Sequence, residues 1–325
     1  MTEPTPEVAA PPAPDVRRSR VLRVGSRGSA LAWRQAESVR DALMQRGVRA
    51  ELIRIHTQGD RIIDRPLTAI GGKGVFTKEI EDALLDRRID VAVHSLKDLP
   101  TELPSGLTLG GVMRREDPRD VFVARDGATK LADLPQGARI GTGSLRRRAQ
   151  LRAFRPDFRM AGLRGNLDTR LRKLDAGQMD GVVLAAAGFA RMGWTDRITE
   201  KLSPEVCLPA VGQGALALEC RTDDRETASC ISPLDHPETR RAVRAERALL
   251  RRLEGGCQVP VGALGEVRGG RIELQGVVAS LDGERIVRGA ASGEDPEEVG
   301  IRLAEDLVKR GGGEILLEIR GENGS

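Results

Sequence analysis

Two strand–turn–helix units of similar sequence constrain the fold more than any other feature of the chain. In the first, a short apolar strand leads into a Gly-Ser-Arg-Gly-Ser turn at residues 25–29. In the second, a similar strand leads into a Gly-Thr-Gly-Ser turn at residues 141–144. Each turn precedes a helical segment, whose free N-terminal amides favour an anion. The pair predicts two similar lobes that direct helix N-termini at a shared cleft.

The first unit predicts a parallel sheet. A strand at 21–24 is followed by a helix at 30–46 and by a second strand at 50–56, which is the order of a βαβ unit. Within the turn, Arg27 and Ser29 are candidate anion ligands. Ser29 has an alternative role as a simple N-cap of the following helix, and the turn alone does not decide between the two.

A strongly basic stretch at residues 145–173 supports the anion site. It carries ten arginine and lysine side chains against only Asp157 and Asp168. Runs of like charge are often solvated helix faces, and that alternative stays open. Leucines and phenylalanines are interleaved with the arginines, however, so these segments are expected to pack on a scaffold. Planar guanidinium groups beside glycine and serine turns suit the capture of carboxylate or phosphate.

Polar groups also follow the apolar strand predicted at residues 89–93. Ser95, Lys97 and Asp98 stand there, where open α/β sheets place their ligands, although an ordinary solvated loop is the alternative. A glycine-rich loop at 71–74 carries Lys73 and has the composition of a mobile lid. Residues 107–114 and 120–124 read as crossings into a second lobe, in which 181–187 is a buried strand. Residues 208–215, including Gln213, form a return, and 216–220 reads as a strand that rejoins the first lobe.

A third region follows residue 237. A basic helix at 237–253 precedes strands at 258–267, 271–279 and 285–290 and a closing helix at 296–309, which together indicate a small α+β domain. Cys257 lies after two glycines, between the helix and the first strand. Most free cysteines are buried and structural, but this loop position favours an accessible thiol.

Composition argues against several classes of function. The formal net charge is only +4 and aromatic residues make up 2% of the chain, which disfavours a nucleic-acid binder. Four scattered cysteines without a C-x-x-C pair predict reduced thiols, no metal site and a cytoplasmic protein. No apolar run approaches the ~18 residues of a membrane span. Residues 1–19 are rich in proline and alanine and are expected to be a disordered tail.

Seven segments in this order resemble the porphobilinogen deaminase family, and together they cover the chain from residue 21 to about residue 320. They are residues 25–32, 71–76, 93–100, 141–147, 163–173, 209–221 and 255–261. The resemblance implies two lobes similar to periplasmic binding proteins plus the small α+β domain. The expected boundaries are 20–114 with 215–232 for the first lobe, 115–214 for the second and 233–325 for the third domain.

The resemblance also implies roles for individual residues. Cys257 matches the cysteine that holds one covalent dipyrromethane cofactor through a thioether, and Asp98 matches the catalytic aspartate. The remaining positions match cofactor and substrate ligands: Arg27, Ser29, Lys73, Ser95, Lys97, Thr142, Ser144, Arg146, Arg147, Arg164, Asn166, Arg170 and Gln213.

The implied reaction accounts for these residue types. Porphobilinogen carries acetate and propionate groups, so a growing chain of pyrroles needs many cations. Loss of ammonia leaves a cationic azafulvene, which a shielded carboxylate such as Asp98 would stabilise. The expected protein is a monomeric transferase without nucleic-acid or membrane partners. Two other hypotheses remain: a two-lobed binding protein for a small polyanion without catalysis, and, on the arginines alone, a nucleic-acid binder.

Overall fold

The computed structural model describes residues 20–57, 77–254 and 259–323. The strands are β1 (Leu22–Arg27), β2 (Ala50–Ile55), β3 (Val91–Ser95), β4 (Leu107–Val112), β5 (Asp120–Ala124), β6 (Arg139–Gly141), β7 (Arg159–Ala161), β8 (Gly181–Ala185), β9 (Glu200–Lys201), β10 (Leu216–Arg221), β11 (Val261–Arg268), β12 (Arg271–Ala279) and β13 (Ile286–Gly293). The α-helices are α1 (Ala30–Met44), α2 (Lys78–Leu85), α3 (Leu145–Phe154), α4 (Leu167–Asp175), α5 (Ala186–Met192), α6 (Arg225–Ile231), α7 (Pro237–Arg252), α8 (Pro296–Leu307) and α9 (Gly313–Asn323).

Two five-stranded sheets have the same strand order and define two lobes. The first lobe has the order β2-β1-β3-β10-β4 and the second has β7-β6-β8-β5-β9. In each sheet the first three strands are parallel, and the last two run antiparallel to their neighbours. The prediction of two similar α/β lobes is therefore confirmed.

The chain crosses between the lobes twice. Strand β5 follows β4 of the first lobe but joins the second sheet, and β10 follows β9 of the second lobe but joins the first sheet. The predicted return of 216–220 to the first lobe is confirmed. The prediction that 107–114 and 120–124 are themselves crossings was wrong, because β4 pairs with β10 inside the first sheet and β5 pairs with β8 inside the second. The crossings are instead residues 113–119 and 202–215.

Apolar periodicity accounts for most of the elements. In α1, the stripe Ala36, Val39 and Leu43 is fully buried against the first sheet. The buried strand predicted at 181–187 ends at Ala185, because the backbone turns helical at Ala186. Helices α6 and α9 were not predicted. Helix α6 has few apolar residues, whereas Ile315, Leu316 and Ile319 of α9 have helical spacing and are buried, so α9 was recognisable from the sequence.

The third domain packs three helices on a three-stranded antiparallel sheet, which confirms the predicted α+β unit. The sheet has the order β11-β12-β13, and its apolar face packs against α7, α8 and α9. Helix α7 also contacts the first lobe, where its Val243 shares a buried cluster with Leu96 and Leu99. This contact places α7 behind the segment that contains Asp98.

Candidate functional site

The predicted ligand residues of each lobe gather at the carboxyl ends of its parallel strands. Arg27 is the last residue of β1 and Ser95 the last of β3, and these strands are parallel neighbours, so both lie at one sheet edge. In the second lobe, Thr142 and Ser144 follow β6, while the 162–166 turn with Arg164 follows the parallel strand β7. Such edges are where open α/β sheets bind ligands.

Charges from the two lobes face one another at these edges. Burial lowers the pKa of Arg170 to about 10, the nearby positive charge of Arg147 adds to that decrease, and Asp98 of the other lobe opposes it. The Lys97 ammonium group of the first lobe lies 3.4 Å from the side-chain oxygen of Gln213 in the second crossing. The structure therefore brings Lys97, Asp98, Arg147, Arg170 and Gln213 into one cleft.

Lys97 and Asp98 differ in exposure although they are adjacent. Both belong to a single 3₁₀ turn, Leu96–Asp98, which is anchored by the buried Leu96. Asp98 is exposed at the cleft, whereas Lys97 is partly buried. Burial lowers the pKa of Lys97 to about 8, with Asp98 opposing the decrease and Arg147 adding to it. A lysine held this way gains from an anionic ligand, which would restore its preference for the charged form.

A buried carboxylate, Asp120, forms the centre of the hinge between the lobes. It accepts hydrogen bonds from Arg146 at 2.7 Å, from Arg147 at 2.7 and 3.0 Å and from Gln213 at 2.8 Å. The thiol of Cys207 lies 3.2 Å away. Burial alone would raise the pKa of Asp120, but the two guanidiniums hold it well below its usual range. Because Asp120 begins β5 and Gln213 lies in the return, this cluster ties both crossings together.

The serine hydroxyls at the predicted anion sites make local hydrogen bonds. Ser29 caps α1 by accepting from the amide of Ala32 at 3.3 Å, and Ser144 caps α3 by accepting from the amide of Arg147 at 3.4 Å. The N-cap role considered for Ser29 is thus present. Ser95 accepts from the side-chain amide of Gln35 at 2.8 Å. These bonds fix the hydroxyls in place at the cleft edge, and their contact with a ligand stays a prediction.

The basic stretch is neither one surface nor one site. Arg146 and Arg147 are buried against Asp120, whereas Arg172 is exposed and pairs with Asp168 on α4. Arg155 stacks 4.5 Å from the ring centroid of Phe158. Arg164 and Arg170 are partly buried on the cleft side, where Arg170 donates to the carbonyl of Gly165 at 2.7 Å. Asn166 is exposed and does not cap α4 through its side chain.

Two predicted residues, Lys73 and Cys257, lie outside the described residues. Of the cysteines that the structure does describe, Cys207, Cys220 and Cys230 are all buried thiols, and burial raises the pKa of Cys207 to about 12. In the part of the chain that the structure describes, no group of three His, Cys, Asp or Glu side chains could hold a metal ion. None of the described helices is long and apolar enough to cross a bilayer.

Two buried carboxylates that connect the domains were not predicted from the sequence. Asp120 was treated only as part of an apolar strand, although a lone carboxylate at the head of such a strand needs a partner. Glu246 of α7 is also fully buried, and it accepts from Arg115 in the first crossing at 2.5 Å and from the amide of Gly212 in the second at 2.6 Å. The single charge at the head of an apolar strand was the available signal for Asp120, whereas Glu246 lies in an arginine-rich helix where no such signal marks it.

The fold and the cleft define a class: a two-lobed α/β protein with a cation-lined cleft at its hinge and a third domain packed behind it. The family model described as "Porphobilinogen deaminase, dipyromethane cofactor binding domain" matches residues 22–229, and the one described as "Porphobilinogen deaminase, C-terminal domain" matches residues 240–309. The chain belongs to the porphobilinogen deaminase family.

Curated relatives match nearly the whole chain. The porphobilinogen deaminase of Geotalea uraniireducens is 53% identical over 304 residues, which cover 92% of this chain and 95% of that protein. The porphobilinogen deaminase of Desulforudis audaxviator is 55% identical over 305 residues, or 93% of this chain and 98% of that protein. Among solved structures, the methionine-binding protein MetQ aligns over 66% of this chain and 89% of its own at 12% identity, with a TM-score of 0.43, a likeness too weak to carry an argument.

Proposed function

We propose that this chain is a transferase that joins four porphobilinogen molecules head to tail and releases the linear tetrapyrrole hydroxymethylbilane by hydrolysis. The observation that carries the proposal is the placement of Asp98 from one lobe close enough to Arg170 of the other for its charge to favour the charged arginine, in a chain of this family. Each addition breaks the carbon–nitrogen bond of one aminomethyl group, releases ammonia and forms one carbon–carbon bond. Water enters only at the final release.

The cations of the cleft are suited to the substrate's carboxylates. Burial destabilises the charged forms of Lys97 and Arg170, and the nearby positive charge of Arg147 destabilises them further. An acetate or propionate group placed between them would offset that loss, because an opposite charge within ~4–6 Å favours the charged form. Arg164 lies close enough to influence Arg170, and it would extend the same patch along the cleft.

Asp98 is the group proposed to manage the reacting end. Departure of ammonia leaves a positive charge on the substrate, and a fixed carboxylate in a cleft stabilises such a charge without reorganising. The same carboxylate can hold the proton of the pyrrole N–H or pass one to the leaving amine. Its support on a short 3₁₀ turn, which is anchored by the buried Leu96, limits its movement during these steps.

Cys257 and Lys73 complete the proposal from segments outside the described residues. The family's cofactor domain is a dipyrromethane-binding domain, and Cys257 is proposed as its thioether anchor. When bound, this group supplies the free pyrrole α-carbon onto which substrate units are added. The cationic cleft fits such a group, because a dipyrromethane built from this substrate carries several carboxylates. Lys73 is proposed to cover the cleft from its glycine-rich loop.

The remaining assignments are also proposals. We assign residues 20–114 with 215–232 to the first domain, 115–214 to the second and 233–325 to the third. Supporting this division, β10 pairs within the first sheet, and the third domain has its own apolar core. The protein is proposed to act as a cytoplasmic monomer without a nucleic-acid partner. The following residues are proposed to contact the bound pyrroles or to orient the groups that do: Arg27, Ser29, Ser95, Thr142, Ser144, Arg146, Arg147, Asn166 and Gln213.

Replacement of Asp98 tests the proposal. Asp98→Asn keeps the size of the side chain, and because Asp98 is exposed we expect the folded protein and its covalent cofactor to remain. Loss of one positioned acid–base group costs typically about 10²- to 10⁴-fold in rate. Ammonia release and tetrapyrrole formation from porphobilinogen are measured beside Asp168→Asn, an exposed aspartate of α4. Near-normal turnover in Asp98→Asn would remove this residue from the mechanism.

A further inference from the structure

Arg247 of α7 reaches from the third domain to the segment that carries Asp98. One of its terminal nitrogens donates to the carbonyl of Leu99 at 3.1 Å and the other to the carbonyl of Pro100 at 2.6 Å. The residue is only 8% exposed, so these bonds are shielded from water. Leu99 and Pro100 follow Asp98 directly, and the side chain therefore fixes the carboxyl end of the segment 95–100.

The amino end of the same segment is fixed by a second buried pair. The Nε2 atom of His94, the residue before Ser95, lies 2.9 Å from a carboxylate oxygen of Glu219. The two side chains are 3% and 0% exposed. Glu219 lies on β10, which pairs with β3, so the two side chains link the end of β3 to its neighbouring strand just before the segment.

The two anchors share an electrostatic connection. Burial lowers the pKa of Arg247 to about 10, nearby Arg251 adds to the decrease, and the negative charge of Glu219 opposes it. The carboxylate that holds His94 therefore also favours the charged form of Arg247. A buried cation bonded to neutral carbonyls is costly, and a counter-charge at a distance lessens that cost.

Helix α7 carries a second connection to the site. It ends at Arg252, and the segment that contains Cys257 lies between this helix and β11. The same helix thus holds the Asp98 segment through Arg247 and leads into the proposed attachment point of the cofactor.

We propose that Arg247 is a positioning residue that sets Asp98 in the cleft, with the His94–Glu219 pair as the second anchor. The inference rests on the role proposed above for Asp98. Arg247 touches neither substrate nor cofactor, and it acts through the backbone of residues 99 and 100. Its loss should slow the chemical steps more than it weakens substrate binding, because only Lys97 of the cleft cations lies on this segment, whereas Arg147 and Arg170 lie on helices of the second lobe.

The test compares Arg247→Gln with Arg244→Gln, an exposed arginine on the same helix. Both variants are purified as full chains, and kcat, KM, intact mass and thermal unfolding are measured. We expect Arg247→Gln to retain the cofactor mass and a KM within about twofold, with kcat reduced about tenfold or more, since a misplacement of about 1 Å can cost about 100-fold in rate. Arg244→Gln should match the wild-type protein in kcat, KM, thermal unfolding and the mass contributed by the cofactor.

Arg247→Lys provides a second, milder variant, which also serves if the glutamine variant does not fold. Lysine keeps the positive charge near Glu219, but its single ammonium nitrogen cannot reproduce the fixed geometry of the two guanidinium nitrogens that bond Leu99 and Pro100. We expect a kcat between those of the unmodified protein and Arg247→Gln, again at unchanged KM. An unchanged kcat in the folded variants, a rise in KM that accounts for the loss, or absence of the cofactor mass would each overturn the positioning role. Failure of the proposed function is distinguishable, because the unmodified protein itself would then release no ammonia.

Discussion

Replacement of Asp120 by asparagine should destabilise the hinge more than almost any other single substitution. The carboxylate is fully buried, and the two guanidiniums that it holds are only 5% and 6% exposed. Asparagine removes the negative charge and replaces one acceptor oxygen with an amide donor. That donor would face Arg146, Arg147 or Gln213, all of which already donate to this position.

The magnitude follows from the charges that are left behind. Breaking a buried ion pair by removing one partner costs about 3–5 kcal/mol, because the remaining charge is buried and uncompensated. This loss corresponds to a roughly 10²- to 10⁴-fold fall in the folding equilibrium constant at about 1.36 kcal/mol per factor of ten. A typical domain is stable by only about 5–15 kcal/mol, so the second lobe would be close to unfolding.

Urea unfolding followed by circular dichroism measures the effect of Asp120→Asn. The matched control is Asp133→Asn, an exposed aspartate of the same lobe, for which a change within about 0.5 kcal/mol is expected. The variant should unfold at a clearly lower urea concentration than the control. A loss below about 1 kcal/mol in Asp120→Asn would refute the reasoning, since it would mean that water or another group satisfies both arginines.

Three further predictions concern single charges. Because the pKa of Lys97 is lowered to about 8, its ammonium group loses its proton as pH rises through 8, and KM for porphobilinogen should then increase. Lys97→Arg should abolish that increase, and an identical pH profile of KM in this variant and the wild-type protein would contradict the prediction. Arg170→Gln should raise KM about tenfold or more, as expected for the loss of one charge-assisted hydrogen bond of about 1.5–3 kcal/mol. Replacement of the exposed Arg172 by glutamine should leave KM unchanged, and equal KM values in the two variants would exclude Arg170 from the ligands of the cleft. Burial raises the pKa of Asp90, but hydrogen bonds from Arg23 and Arg221 lower it to about 2 overall. The stability that ionised Asp90 gives the folded protein is therefore complete above pH 3.8 and is lost as pH falls towards 2. Asp90→Asn should flatten this part of the plot of urea midpoint against pH, and an unchanged slope would contradict the assignment.

The lobes could be predicted from sequence because their signals are local. A short apolar strand, a glycine–serine turn and an amphipathic helix lie within residues 21–56, and the same order recurs from residue 139. The turn residues that were expected at the cleft, such as Ser29 and Ser144, do cap the helices that follow them. The third domain was predictable for a similar reason, since Gly-Gly and Asp-Gly turns separate its strands.

The hinge could not be predicted, because its contacts join distant parts of the chain. Asp120 meets Gln213 and two arginines of α3, and no local pattern pairs a carboxylate with those partners. For the same reason the sequence did not separate Arg146 and Arg147, which face Asp120, from the exposed Arg172 in one continuous basic stretch. The contribution of Arg247 was also hidden, since its partners are backbone carbonyls of another domain.

The most direct test of the central claim is the intact mass of the folded, full-length protein, measured together with turnover of porphobilinogen. The account predicts a mass above that of the sequence by two porphobilinogen units less the two ammonia molecules lost on attachment. The excess should vanish in Cys257→Ala but persist in Cys207→Ala, whose thiol is buried. A protein of unmodified mass with full activity would contradict the account.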